Sequence, residues 1–361
     1  MRKTIFDSLM ISDSERIHTQ TLAWILSLEN GLFPNKSDFI KGLFDLNNCE
    51  FNSKDLYVET ELNRIDLFIQ TTDKQFLIEN KLKSSEHSNQ TIRYIDSIPK
   101  SLIDSNKTKY FGFLTLIKDE PQNQEWKPIS FEKLRDSLNS IQWPKDKNET
   151  IFIQEYIQTL DNLVNVFNQF VSNHKDFENV FTDGYKKKYE KQPYSNDSKD
   201  YIRRNQLETI FQIAFLKILA KEAGISYDEI GETRGTALIQ IYFKEIIILG
   251  ETFRLGFQFQ GKTLKINLAH KNYADSKPEQ MGELLINTFK KIFLNQNGYE
   301  NFNKPRSKAY ISVSKNISNE IYKMDKSDLI KLLKDEIDEI TIKSQEFENE
   351  INTAYNTRYS Q

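Results

Sequence analysis

"RIDLFIQTTDKQFLIENKLKSSEHSNQTIRY", residues 64–94, sets charged groups at the ends of the chain's most apolar runs. Asp66 opens Leu67-Phe68-Ile69, and Phe76-Leu77-Ile78 runs into Glu79 and Lys81. Two short apolar runs joined by the polar turn Thr71-Thr72-Asp73-Lys74 predict a pair of β-strands. Side chains alternate along a strand, so Glu79 and Lys81 project to one side and Asn80 to the other. A turn of this length lets the strands pair and brings Asp66 within reach of Glu79.

Charge at those positions has two readings. Two carboxylates converging at a strand end form a hard oxygen site of the kind that Mg²⁺ or Mn²⁺ takes. A lysine two residues on would orient or deprotonate an attacking water and steady charge on a phosphate. The plainer reading is a solvated ion pair at the end of a strand, which contributes little. The apolar runs leading into the charges place them at the edge of a core. A further polar pair, Gln90 and Tyr94, shares one face of the following helix at i, i+4 spacing.

Composition limits the remaining choices. The chain has 361 residues, 38% hydrophobic and 12% aromatic, enough for two domains with cores of their own. A net charge of −3 gives no global basic field, so contacts to a nucleic acid would come from local patches or bound metal. The single cysteine, Cys49, excludes an intramolecular disulfide framework and a cysteine zinc site. His18, His87, His174 and His270 lack zinc-ligand spacing. With no signal-peptide pattern and no apolar run of membrane-spanning length, a cytoplasmic protein is expected.

The pattern divides the chain into residues 1–172, a polar stretch 173–200 and a second unit 201–361. In the first, residues 7–30 predict one amphipathic helix, residues 56–70 and 75–82 two strands, and a helix follows from about Glu86 to the residue before Pro99. "KYFGFLTLIK" is a buried strand, and helices over 131–141 and 149–171 complete a mixed α/β unit. "YKKKYEKQPY", residues 185–194, reads either as a solvated charge run or as a phosphate-contacting, base-stacking segment. Beyond Tyr201, a helix, three strand-like runs, a helix, a strand and a charged terminal helix predict an α+β unit with no nameable motif.

"RID", "IENK" and "NQTIRY", in that order, resemble the PD-(D/E)XK nuclease superfamily, and within it a bacterial branch with a QxxxY helix after the ExK strand. Ile65 stands where the family motif has proline. The resemblance covers about residues 12–165 and implies a restriction-endonuclease-like mixed sheet flanked by helices. It implies Asp66 and Glu79 as metal ligands, joined by the backbone carbonyl of Asn80, with Lys81 as the catalytic lysine. Gln90 and Tyr94 would steady the site or the DNA backbone. Glu15, on a stretch resembling the family's first helix, would face the site. Ser12-x-x-Glu15 is also a capping-box sequence, under which Glu15 would serve only helix-end amides.

His18, Glu59 and Glu61 stand nearby as lesser candidates, and Glu61 could equally pair with Arg64. The implied activity is Mg²⁺- or Mn²⁺-dependent hydrolysis of nucleic acid, chiefly DNA, of the kind found in restriction and anti-phage systems. Residues 201–361 would serve targeting, assembly as a homo-oligomer, or contact with a partner protein. The rival is a nuclease fold that holds nucleic acid or a partner without cutting.

Overall fold

The computed structural model describes residues 1–46, 56–83, 90–97, 106–181, 197–233 and 235–359. Helices α1 (Ile5–Leu9), α2 (Glu15–Ser27) and α3 (Lys36–Phe44) come first. The single helix expected over residues 7–30 is thus two. Met10 turns left-handed at φ 57 and ends α1, and α2 restarts behind Ser14, whose side chain accepts the Ile17 N–H. The sequence reading missed α3, which buries Phe39, Ile40, Leu43 and Phe44.

Strands β1 (Tyr57–Leu62), β2 (Ile65–Gln70) and β3 (Lys74–Lys81) follow, then α4 (Gln90–Ser97), β4 (Thr108–Thr115), β5 (Trp126–Ser130), α5 (Phe131–Asn139) and α6 (Asn148–Ser172). The strand expected over 56–70 is a hairpin. Asn63 and Arg64 both take positive φ, 48 and 74, which is the two-residue turn whose twist suits paired strands. The five strands form one mixed sheet in the order β1-β2-β3-β4-β5. β1, β2 and β3 pair antiparallel, while β3, β4 and β5 run parallel. This is the α/β architecture the resemblance implies.

β3 is central and covered on both faces, which explains its continuous apolar run. On one face Leu77 joins Ile65, Phe68, Phe111, Phe113 and Trp126, with Tyr94 and Ile95 of α4 laid against them. On the other, Phe76 meets Phe44 of α3 at 5.1 Å between ring centroids. Gly112 on β4 is needed there, because a Cβ would lie 3.0 Å from Phe44 Cζ and 2.9 Å from Ile129 Cδ1. Alternation along β3 therefore sends Glu79 and Lys81 to the α4 side, and Asn80 to the side of α2 and α3.

The chain groups into two compact units, divided inside α8 (Glu208–Ala223) after Phe211. The first holds residues 1–172 and, among the described residues, 197–211, which include α7 (Ser198–Arg204). One helix was expected from Arg203 to Gly224, but Gln206 at φ 51 separates α7 from α8. Residues 173–181, expected as polar linker, group with the second unit and bury Phe177, Val180 and Phe181. Residues 185–194, with their lysines and tyrosines, lie outside the described residues.

The second unit carries β6 (Glu229–Thr233), β7 (Thr236–Ile248), β8 (Glu251–Gln260), β9 (Thr263–His270), α9 (Glu283–Phe293), β10 (Asn301–Asn303), β11 (Tyr310–Asn316) and α10 (Lys326–Tyr359). Its strands form an antiparallel sheet in the order β10-β11-β9-β8-β7-β6. Among the described residues, no helix is long and apolar enough to cross a membrane.

Candidate active site

The β2–β3 ladder pairs Leu67 with Ile78, so the next residues outward, Asp66 and Glu79, face each other at the strand ends. The Asn80 N–H donates to Asp66 Oδ2 at 2.7 Å and fixes that carboxylate against β3. Glu79 is almost wholly buried, at 2% exposure. Its Oε1 takes Lys81 Nζ at 2.7 Å and Gln90 Nε2 at 2.8 Å. Gln90 Nε2 also donates to the Tyr94 hydroxyl. Helical spacing thus works as the sequence suggests: one turn of α4 presents an amide to the ExK carboxylate with a phenol behind it.

Burial pushes the Glu79 carboxyl up to about 8, helped by the negative charge of Asp66 and opposed by Lys81. Burial likewise raises Asp66 against the pull of the Asn80 amide and Lys81. Burial alone would depress Lys81, yet Glu79, Glu15 and Asp66 together hold it above its ordinary value. Lys81 therefore keeps its proton at neutral pH and is the cation of the site.

Glu15 settles its two readings by position. Ser14, not Ser12, is the N-cap of α2, and Ser12 Oγ instead donates to Asn205 Oδ1 at 2.7 Å. Glu15 is then the first residue of the helix rather than the third. Its Oε1 accepts the backbone N–H groups of Leu82 and Lys83 at 2.8 and 3.0 Å, where the chain leaves β3. The Asn80 amide nitrogen donates to the Glu15 carbonyl at 2.9 Å and to Thr19 Oγ1 at 3.1 Å. Asp13 forms an ion pair with Lys83. Thr19, Asp13 and Lys83 were not anticipated, although Thr19 lies one helical turn after Glu15, where a second contact to the same strand would fall.

The lesser candidates lie apart from this cluster. His18 is buried, with Nε2 donating to the Ser12 carbonyl at 2.8 Å and Nδ1 3.3 Å from the Tyr156 hydroxyl. Glu61 pairs with Arg16 at 3.0 Å rather than with Arg64, and Glu59 accepts from the Tyr57 hydroxyl. The β1–β2 turn puts both acids on β1, separate from the strand that carries Asp66.

Among the described residues, no three His, Cys, Asp or Glu side chains meet as a ready ligand cluster. The pair that does meet still fits a divalent cation. Glu79 Oε2 is buried and has no hydrogen-bond partner among the described residues. The carboxylate beside it, Asp66, shares its raised affinity for a proton. Two desolvated carboxylates in contact need a positive charge between them, either a proton or a metal ion.

A match to the PD-(D/E)XK nuclease superfamily spans residues 3–187. The chain belongs to the PD-(D/E)XK nuclease superfamily. That span takes in the whole five-stranded sheet and every residue of the candidate site, and stops short of the six-stranded sheet. No curated protein and no solved structure matches the chain.

Proposed function

We propose that this chain is a divalent-metal-dependent nuclease, cutting DNA with Mg²⁺ or Mn²⁺ at the Asp66–Glu79 strand ends. One observation carries the reading: Glu79 offers a buried Oε2, unpartnered among the described residues, beside Asp66, while its other oxygen is held by Lys81 and Gln90. Asp66, Glu79 and the Asn80 carbonyl would hold the metal, which when bound polarises a phosphoryl oxygen and acidifies water.

The chain's own groups do the rest. Lys81, 14% exposed and carrying its proton, donates to a non-bridging phosphate oxygen and steadies the charge that grows in the transition state. Gln90 fixes the Glu79 carboxylate so that Oε2 keeps one direction, and Tyr94 holds Gln90. Glu15 anchors the exit of β3, keeping Lys81 aligned with the carboxylates. A cytoplasmic role in restriction or anti-phage defence suits such a chain.

The test is a panel of single- and double-stranded DNA and RNA, incubated with the full-length protein and Mg²⁺ or Mn²⁺, beside Asp66→Asn and Lys81→Ala. Cleavage by the wild type that both variants lose supports the reading. Cleavage retained by both, or absent on every substrate, overturns it.

A further inference from the structure

One side of the six-stranded sheet is apolar and carries the helices of its unit. Lys244, directed to that side, reaches Gln345 of α10 at 2.8 Å, and Lys315, also on that side, pairs with Glu336 of α10. The other side is polar across five strands. Gln240, Gln258, Lys265, Ser314 and Asn301 stand in one transverse row, each the register partner of the next. A second row sets Tyr242, Gly256, Asn267 and Ser312 side by side, and Arg254 and Tyr310 flank Ala269 in a third.

An antiparallel sheet with one solvated face is polar on that face as a matter of course, its side chains bonded to one another or to water. This side has instead a set of groups with unmet bonding capacity. Asn267 is 0% exposed, and its Oδ1 has no hydrogen-bond partner among the described residues. Arg254 Nε is likewise buried and unpartnered, while its guanidinium lies 4.3 Å from the centre of the Tyr242 ring. Neither Arg254 nor Lys265 forms a salt bridge among the described residues, and Lys265 Nζ meets only the amide oxygen of Gln260, at 2.5 Å. Of the acids on this side, Glu229 stands on β6, and Glu245, the register partner of Arg254, is paired with Lys271 at 2.9 Å. Gly256 keeps the middle flat, since a Cβ there would lie 2.6 Å from the Ile241 carbonyl and 2.7 Å from the Tyr242 ring.

We propose that this face binds single-stranded nucleic acid. Bases present hydrogen-bonding edges and a π-face together, which the half-exposed Gln258 amide and the half-exposed Tyr242 and Tyr310 rings match. Arg254 and Lys265 supply the phosphate contacts. The choice of nucleic acid as ligand rests on the nuclease reading, but the binding itself requires neither metal nor catalysis.

The experiment uses the full-length protein in EDTA with labelled DNA or RNA strands of about 20 nucleotides, longer than the ~4–16 nucleotide sites of sheet-based binders. The same sequences are also tested as duplexes. Fluorescence anisotropy should show the single strand bound in preference to the duplex, and the DNA and RNA arms identify the better ligand. Arg254→Gln with Lys265→Gln should weaken that binding about tenfold or more, and Tyr310→Ala about fivefold or more if its ring stacks a base. Melting temperatures identify any variant that fails to fold, and the Arg254/Lys265 pair stays informative if Tyr310→Ala does. Hydrolysis of bis(p-nitrophenyl) phosphate with Mn²⁺, a substrate with no nucleobase for the sheet to hold, should be unchanged in these variants. Lys81→Ala should keep the binding and lose the hydrolysis, so each reading can fail alone. Unaltered binding in the double variant, preference for duplex, or no binding to either strand would overturn the proposal. So would a dimer, seen by light scattering, that the double variant turns into monomer, since the face would then be a self-interface.

Discussion

Lys81 and Gln90 share one acceptor. Lys81 Nζ lies 2.7 Å and Gln90 Nε2 2.8 Å from Oε1 of Glu79, one donor from the strand and one from the helix. Both donors thus fall on the same Glu79 oxygen, and Oε2 has no hydrogen-bond partner among the described residues. Strand and helix hold the same oxygen together.

Removing the strand's donor should cost the most. Lys81→Ala is expected to lower the cleavage rate at least about a hundredfold, the scale seen when a transition-state charge stabiliser is lost. Mn²⁺ binding measured by calorimetry should persist, because Asp66 and Glu79 remain. A variant that cuts at the wild-type rate would exclude Lys81 from the chemistry.

Removing the helix's donor should cost less but still register. Gln90→Ala deletes a hydrogen bond to a carboxylate, worth about 1.5–3 kcal/mol, so a loss of roughly ten- to a hundredfold in turnover is expected. Tyr94→Phe keeps the ring against the core and should lose tenfold at most. Rate and melting temperature measured on the same preparations decide the matter. A drop in melting temperature with turnover unchanged would make α4 a packing element only.

Glu79 predicts an unusual pH dependence of stability. Its folded value of about 8 lies above the ordinary 4.5, so the folded state holds a proton that the unfolded chain releases. That contribution is complete below about pH 4.5 and fades as pH rises towards 8, a change on the order of a few kcal/mol. In EDTA, wild-type melting temperature should fall across this window relative to Glu79→Gln, and Mn²⁺ should restore it most at the alkaline end. Parallel curves for the two proteins would contradict the burial argument.

His18 predicts the opposite slope. Burial lowers it from 6.5 to about 4, so unfolding takes up a proton between those values. Stability should be lost as pH falls from about 6.5 to 4, by roughly 3 kcal/mol at most. Acid unfolding of His18→Gln should lack this component. If the two proteins unfold in acid alike, the imidazole is not held neutral.

The residues that the site brings together were largely visible in the sequence, because each sits on a regular element. Strand alternation related Glu79 to Lys81, and helical spacing related Gln90 to Tyr94. What stayed hidden depends on contacts between elements distant in the chain. Glu15 meets the Leu82 and Lys83 amides only because α2 crosses the exit of β3, and the sequence alone allowed a capping box that the structure does not form. The hairpin at Asn63-Arg64 was missed because a left-handed arginine, φ 74, has no signal of its own. β5 was missed because Lys127 and Pro128 interrupt its apolar pattern, yet it pairs with β4 at the edge of the sheet. In the second unit the apolar runs announced β7, β8 and β9. The short, polar β6 and β10 gave no such signal.

The parallel pairing of β3 with β4 has a bearing on how such a chain diversifies. Strands that run the same way cannot be joined by a tight turn, so the backbone must leave at Lys81 and travel back to re-enter at Thr108. Asp66 and Glu79 stand on the strands, but the detour carries α4, whose Gln90 holds Glu79 Oε1. Doubling the length of a flexible connection adds only about 0.6 kcal/mol of closure entropy. A lineage can therefore lengthen the detour on either side of α4 at little cost, provided that the helix still delivers Gln90 to the Glu79 carboxylate.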